Sequence, residues 1–184
     1  MRLVLAGGGT YGHVGPLLAT AAELRRREPD VELRVVGTAE GIESRLVPAA
    51  GLKLVTVPRA PFPRRPGKAA AAFPARWVQA SRVARALVRE FAPDAVVGFG
   101  GYASPPVYRA AGRAGVPVVV HEANARPGLA NRLGARRAAA VGVAFPGTAL
   151  PGAKLVGMPL RREVARLDRA AGGGGGPAPV GGGR

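Results

Sequence analysis

The chain has 184 residues and a mass of 18.7 kDa, enough for one ordinary domain and short for two. Apolar residues make up 47%, which supplies a core and excludes a largely disordered chain. Cysteine is absent, which excludes a disulfide scaffold, a thiolate metal site and a thiol nucleophile. The 27 basic residues outweigh 11 acidic ones to give net +16, yet only Lys53, Lys68 and Lys154 are lysines. The excess therefore reads as arginine-biased coding on solvated faces (Arg25–Arg27, Arg82, Arg85, Arg89), with attraction to anionic lipid or phosphate, and no nucleic-acid partner is expected. Two histidines, His13 and His121, make a multi-histidine metal site improbable, so neither metal nor cofactor is expected.

The first apolar run, Leu3–Ala6, is too short for a signal-peptide core and reads as a buried strand. A glycine loop follows, then a helix from about Pro16 to Glu28. Glu32–Val36 reads as a strand ending at Gly37, Ala39–Ala49 as a helix and Lys53–Val57 as a third strand. Pro58–Lys68 breaks the pattern before a long helix from about Pro74 to Phe91. Strand Ala95–Val97, loop Gly98–Tyr102, helix Pro106–Ala114, strand Pro117–Val120 and a helix near Gly128–Ala135 come next, and short strands near Ala140–Val143 and Ala153–Val156 close the series. This alternation predicts an α/β, Rossmann-like parallel sheet with helices on both faces over residues 1–165. Residues 166–184, rich in Gly and Pro, read as a flexible tail or interdomain linker that leads toward something further. No apolar run approaches the ~18–20 residues of a spanning helix, so the expected location is cytoplasmic with at most peripheral membrane contact.

Three loops at strand tips carry the candidate chemistry. Gly7, Gly9 and Gly12 satisfy G-x-G-x-x-G between a strand and a helix, a spacing that lets backbone N–H groups approach a phosphate. Gly37-Thr38 stands where a dinucleotide site wants an acid, and the Walker Lys is absent, which disfavours both of those sites. In the second loop, Gly98–Ser104, Gly100 and Gly101 would form another anion cradle, with Tyr102 and Ser104 as hydrogen-bond donors. Two such tips in one sheet suggest an extended phosphate ligand such as a diphosphate. The third is His121-Glu-Ala-Asn124, a polar cluster that is either a site or a helix cap. Separately, arginines and prolines mixed with Phe62, Phe73 and Trp77 read equally as an interfacial patch for anionic lipid or as a loop whose aromatics enter the core.

Taken in order, Gly7–His13, Gly37-Thr38, Glu43, Leu46–Pro48, Pro93–Gly98, Gly100–Tyr102, Pro117, His121-Glu122, Asn124, Phe145-Pro146 and Gly157–Arg161 resemble the N-terminal, acceptor-binding domain of MurG-type peptidoglycan N-acetylglucosaminyltransferases, glycosyltransferase family 28. The resemblance implies the N-terminal half of a GT-B fold. It implies transfer of N-acetylglucosamine from UDP-N-acetylglucosamine to undecaprenyl-diphosphoryl-muramoyl-pentapeptide at the cytoplasmic membrane face, without metal. By position, His13 would be the general base on the acceptor hydroxyl, since an imidazole can take a proton near neutral pH. Thr10, Tyr11, Gly12, Asn124 and Arg161 would contact the donor. Gly8, Gly9, Gly100, Gly101, Tyr102 and Ser104 would face the acceptor diphosphate, and Glu122 would orient its neighbours.

Three positions depart from the family pattern: Tyr11 and Pro105 stand where Gly is usual, and Met158 where Asn is usual. The family's C-terminal half is absent, so the chain alone is expected to be inactive or nearly so. A non-catalytic acceptor-binding subunit working with a separate donor-binding chain is the alternative. A basic module for membrane or nucleic acid is a third reading.

Overall fold

The computed structural model describes residues 1–63, 65 and 67–165. Seven strands form one sheet: β1 (Arg2–Gly7), β2 (Glu32–Gly37), β3 (Lys53–Thr56), β4 (Ala95–Gly100), β5 (Val118–Glu122), β6 (Ala140–Val143) and β7 (Ala153–Leu155). All neighbours pair parallel, in the order β3-β2-β1-β4-β5-β6-β7. The helices are α1 (Tyr11–Arg27), α2 (Glu43–Ala49), α3 (Lys68–Phe91), α4 (Ser104–Arg113), α5 (Leu129–Ala135) and α6 (Arg162–Ala165).

Strand alternation divides the core in two. On β1, Leu3 and Leu5 face α1 and α2, where they meet Leu17, Ala21, Val35, Val47 and Phe99. Val4 and Ala6 face the other way, into a layer built by Ala80, Ala84 and Val88 of α3, Val107 and Tyr108 of α4, and Ala135 of α5. Helices therefore cover both faces of the sheet, as the alternating pattern predicts. Each fully buried Val or Leu is worth roughly 1.5–3 kcal/mol, so these two layers supply most of the driving force.

Several boundaries differ from those predicted. Pro16 suggests a helix start, but α1 begins at Tyr11, after Thr10 in an extended conformation (φ −127°, ψ 159°). Packing of Val14 and Leu17 overrides the low helix propensity of Gly12 and Gly15. Similarly, α3 begins at Lys68 rather than Pro74, because Ala69–Ala72 is a strong helix-forming run. By contrast α2 begins only at Glu43, not Ala39. β5 extends through His121 and Glu122, two residues beyond the predicted end, and α6 is an addition. The predicted tail, 166–184, and Arg64 and Pro66 of the proline-arginine stretch lie outside the described residues.

Candidate functional site

The strand order reverses between β1 and β4: the chain runs outward from β1 through β2 to β3, then returns to β4 on the other side. In open parallel sheets such a switch point opens a crevice at the carboxyl ends of the strands, where ligands bind. The two glycine loops predicted as anion cradles are the loops that leave β1 and β4 there. They touch. Gly101 (φ +81°) packs against the Gly8 backbone so closely that a Cβ would lie 3.0 Å from the Gly8 nitrogen. The β1–β4 register also slips at this point, with Gly7 opposite Gly100.

His13 sits at this junction, in the first turn of α1 rather than in a loop. Its Nδ1 lies 3.1 Å from the Gly8 carbonyl oxygen and 3.3 Å from the Thr10 hydroxyl. A carbonyl only accepts, so Nδ1 carries the proton and the neutral ring keeps a free lone pair on Nε2. The Nε2–Cδ2 edge lies against Gly100: a Cβ there would be 3.2 Å from Nε2 and 3.3 Å from the Asn131 Nδ2. Gly100 (φ +96°) leaves room for the imidazole at this spot.

Beneath the first loop lies Glu43, fully buried. Its carboxylate accepts the Gly9 N–H at 2.9 Å, the Thr38 N–H at 2.7 Å and the Thr38 hydroxyl at 2.9 Å. Burial alone would push this carboxyl up. The N–H groups of Gly9, Thr38 and Glu43 itself, with the Thr38 hydroxyl, outweigh it and hold the group below its ordinary value. The space for it comes from glycines at 8, 37 and 41, each of which would collide with it if it carried a Cβ. One consequence corrects the simple phosphate-cradle picture: the Gly9 N–H points inward to Glu43, and Gly8 is buried. Ser104 is likewise buried, its hydroxyl donating to the carbonyls of Ala6 at 3.0 Å and Gly100 at 2.7 Å. Gly8 and Ser104 are thus buried beneath the loop surface, while Gly9 is exposed with its N–H turned inward.

Glu122 performs the same task on the third loop. One oxygen accepts from the Asn124 N–H (2.9 Å) and side-chain amide (2.7 Å); the other accepts from the Gly128 N–H (2.9 Å) and Asn131 Nδ2 (3.1 Å). Asn131 also donates to the His121 carbonyl at 3.1 Å and accepts from the Tyr108 hydroxyl at 2.9 Å. Burial, above all, raises the Tyr108 phenol well beyond its usual range, so it remains a donor. His121 is on the strand, buried beside Phe99, and its Nε2 donates to the Gly157 carbonyl at 3.0 Å.

Of the predicted site residues, His13, Thr10, Gly100 and Gly101 therefore converge directly, and Glu122 and Asn124 reach them through Asn131. Gly12 sits exposed beside His13. Tyr11 and Arg161 meet each other, the guanidinium donating to the phenol oxygen at 3.0 Å. Tyr102 is exposed at the rim, with the Arg59 guanidinium 4.9 Å above its ring. Sequence reasoning gave no separate role to Glu43, Tyr108 or Asn131. Glu43 entered only as one of the residues that carry the family resemblance, and the lone Asn within the short helix α5 was the signal for Asn131. Among the described residues no three His, Cys, Asp or Glu side chains gather as a metal site requires. The arginines lining the groove between α3 and α4 (Arg82, Arg85, Arg89, Arg113) lie at the other end of the sheet, where Arg89 and Arg113 oppose helix C-terminal dipoles.

Known proteins resemble this chain in sequence and in architecture. The family model described as "Glycosyltransferase family 28 N-terminal domain" matches residues 3–143. A UDP-N-acetylglucosamine–N-acetylmuramyl-(pentapeptide) pyrophosphoryl-undecaprenol N-acetylglucosamine transferase of Clavibacter michiganensis is 63% identical over 169 residues, which cover 91% of this chain and 46% of that protein. The enzyme of the same name from Leifsonia xyli is 58% identical over 168 residues, covering 91% and 47%. The crystal structure of Acinetobacter baumannii MurG superposes with a TM-score of 0.73 at 31% identity, covering 86% of this chain and 46% of that one. The chain thus spans about half the length of the curated relatives it matches.

Proposed function

From the chain's membership of glycosyltransferase family 28, whose N-terminal domain it carries, we propose that it is the acceptor-binding half of a peptidoglycan N-acetylglucosaminyltransferase. The donor is UDP-N-acetylglucosamine and the acceptor undecaprenyl-diphosphoryl-muramoyl-pentapeptide. The observation that carries this reading is the placement of His13: Nδ1 lies 3.1 Å from the Gly8 carbonyl oxygen, to which it can only donate, so that in the neutral ring Nε2 is the acceptor, against Gly100 at the switch point.

In the reaction an acceptor hydroxyl gives its proton to His13 Nε2 as its oxygen attacks C1 of the donor sugar. The C1–O bond to the diphosphate breaks and UDP leaves with the negative charge. Arg161 and the N-terminal turn of α1 are positive and sit together, suited to that charge. Thr10, Gly12 and Asn124 complete the donor side, with Tyr11 held against Arg161. Gly9, Gly100, Gly101 and Tyr102 border the acceptor diphosphate, and the buried Gly8 and Ser104 shape that border from beneath. A complementary donor domain supplies the rest of the nucleotide pocket.

The chain works at an anionic membrane surface, the cytoplasmic face of the cell membrane, where the lipid-linked acceptor is held. Phe62, Phe73 and Trp77 support this. They form an aromatic ladder, with centroids 5.4 and 5.9 Å apart, in which Phe62 is 61% exposed. No described helix is long and apolar enough to cross a membrane.

The deciding experiment is a transfer assay with UDP-N-acetylglucosamine and a lipid-linked muramyl acceptor, with and without a separately expressed donor domain of the family. Transfer is expected with the added domain and is lost, by about 10²–10⁴-fold, in His13→Ala. Failure of the chain to bind the acceptor, even with its partner domain present, sinks the assignment.

A further inference from the structure

Tyr11 opens α1 at the edge of the crevice, and its side chain makes two specific contacts. As the first residue of α1, it lies one turn from Gly15 on the same helix face. Its ring rests on that glycine: a Cβ at Gly15 would be 3.0 Å from Cε1 and 3.4 Å from Cδ1 and Cζ. At the far end of the ring the hydroxyl accepts from Arg161 Nη2 at 3.0 Å, joining residues 150 positions apart.

Arg161 would not be expected to stay there unaided. The N-terminal end of α1 carries a positive partial charge, and its first turn has no acidic side chain. No carboxylate pairs with Arg161 among the described residues. The segment leading to it is anchored a few residues earlier, where Gly157 (φ +78°) turns the chain and its carbonyl accepts from His121. The tyrosine hydroxyl is the second tether. It uses one guanidinium N–H, and the others have no hydrogen-bond partner among the described residues.

We propose that Tyr11 is a positioning residue: seated on Gly15, it holds the Arg161 guanidinium at the N-terminal turn of α1, ready for the diphosphate of a nucleotide-sugar donor. This rests on the transferase reading above. It replaces direct donor contact by Tyr11 with an effect transmitted through Arg161.

The test has two arms. In the chain itself, the Arg161 guanidinium Nη–H resonance is followed by low-temperature NMR in wild type and in Tyr11→Phe, which keeps the ring on Gly15 and removes only the hydroxyl. The resonance is expected to broaden or shift toward free arginine; an unchanged resonance overturns the tether. In the transfer assay with the donor domain added, Tyr11→Phe is expected to raise the donor KM roughly 3–10-fold, more than it lowers kcat, as loss of one hydrogen bond to a charged group would. In an Arg161→Ala background the same substitution should have no further effect. A donor KM unmoved by Tyr11→Phe, or an equal effect with and without Arg161, overturns the proposal. If wild type transfers nothing while the resonance responds, the tether stands and the transferase reading fails instead.

Discussion

The carboxylate of Glu43 and the backbone N–H of Gly9 are hydrogen-bonded at 2.9 Å across a separation of 34 residues, so a loop that reads as a phosphate cradle is pinned from below by a buried negative charge. That pin holds the Gly8 carbonyl in place, and the Gly8 carbonyl in turn selects the tautomer of His13. The placement of the His13 ring thus depends on a buried carboxylate 30 residues further along the chain, beneath the loop.

Glu43→Gln tests the pin. The amide replaces acceptor lone pairs with an NH₂ group facing N–H donors, which strands at least one of them. The expected loss is about 1–3 kcal/mol at neutral pH, read from urea unfolding. The pH dependence has a definite sign. The folded-state pKa of Glu43 is lowered, so its contribution is complete above the unfolded-state value and fades as pH falls through the folded-state one. The stability gap between wild type and Glu43→Gln should therefore narrow on acidification. A gap that stays constant, or widens, contradicts the assignment.

Gly101 tests the contact between the two loops. Its φ of +81° disfavours any side chain, and a Cβ would run into the Gly8 backbone, which cannot yield as a flexible side chain would. Gly101→Ala should cost about 1–3 kcal/mol from the backbone conformation alone, plus displacement of the first loop. Gly112→Ala is the counterpart. It lies within α4, meets nothing within 4 Å, and should stabilise by roughly 0.5–1 kcal/mol. Thermal melts of the two variants should move in opposite directions; a shared direction would show that crowding at Gly101 is not what matters.

Much of this was legible beforehand, and the exceptions have physical causes. Alternating apolar runs mark the strands because both faces of a parallel sheet are buried, and glycine clusters at their ends mark the loops. The meeting of those loops was not legible, because strand order is a matter of topology that local pattern does not encode. The start of α1 was hidden by Gly12 and Gly15, which local propensity counts against a helix. His121 and Glu122 read as loop because they are polar, yet the strand carries them inward, where Gly157 and Asn131 provide hydrogen-bond partners. The niche for Glu43 required Gly8 of the first loop to meet Gly37 at the end of β2 and Gly41 of the β2–α2 connection, a long-range contact that local pattern does not announce.

Asn131 joins α4 to the tip of β5 through a single amide. Its oxygen satisfies Tyr108 and its nitrogen satisfies Glu122 and the His121 carbonyl. Asn131→Ala strands the buried phenol donor, at a cost of about 1–3 kcal/mol for that group, and leaves a small void. Asn131→Asp keeps the shape but sets a second carboxylate against Glu122, so its loss should be greater at neutral pH and recover on acidification. Denaturant midpoints at two pH values distinguish them. Equal losses that ignore pH would mean that Glu122 and residue 131 are not in electrostatic contact.

The aromatic ladder gives a prediction about surface attachment. Phe62, Phe73 and Trp77 pack on each other, Phe62 is 61% exposed, and Lys68 and Arg76 stand exposed nearby along α3. Apolar rings anchor in the acyl boundary while the cations meet anionic headgroups, and each basic residue near such a surface adds about 1 kcal/mol. The chain should co-sediment with vesicles containing anionic phospholipid and much less with neutral ones. The double variant Phe62→Ser, Trp77→Ser should weaken binding at every salt concentration, because it removes apolar anchoring. Lys68→Gln, Arg76→Gln should weaken it chiefly at low salt, where screening is least. If the serine variant binds as wild type does, the ladder serves packing, and attachment must be sought elsewhere on the arginine-rich surface.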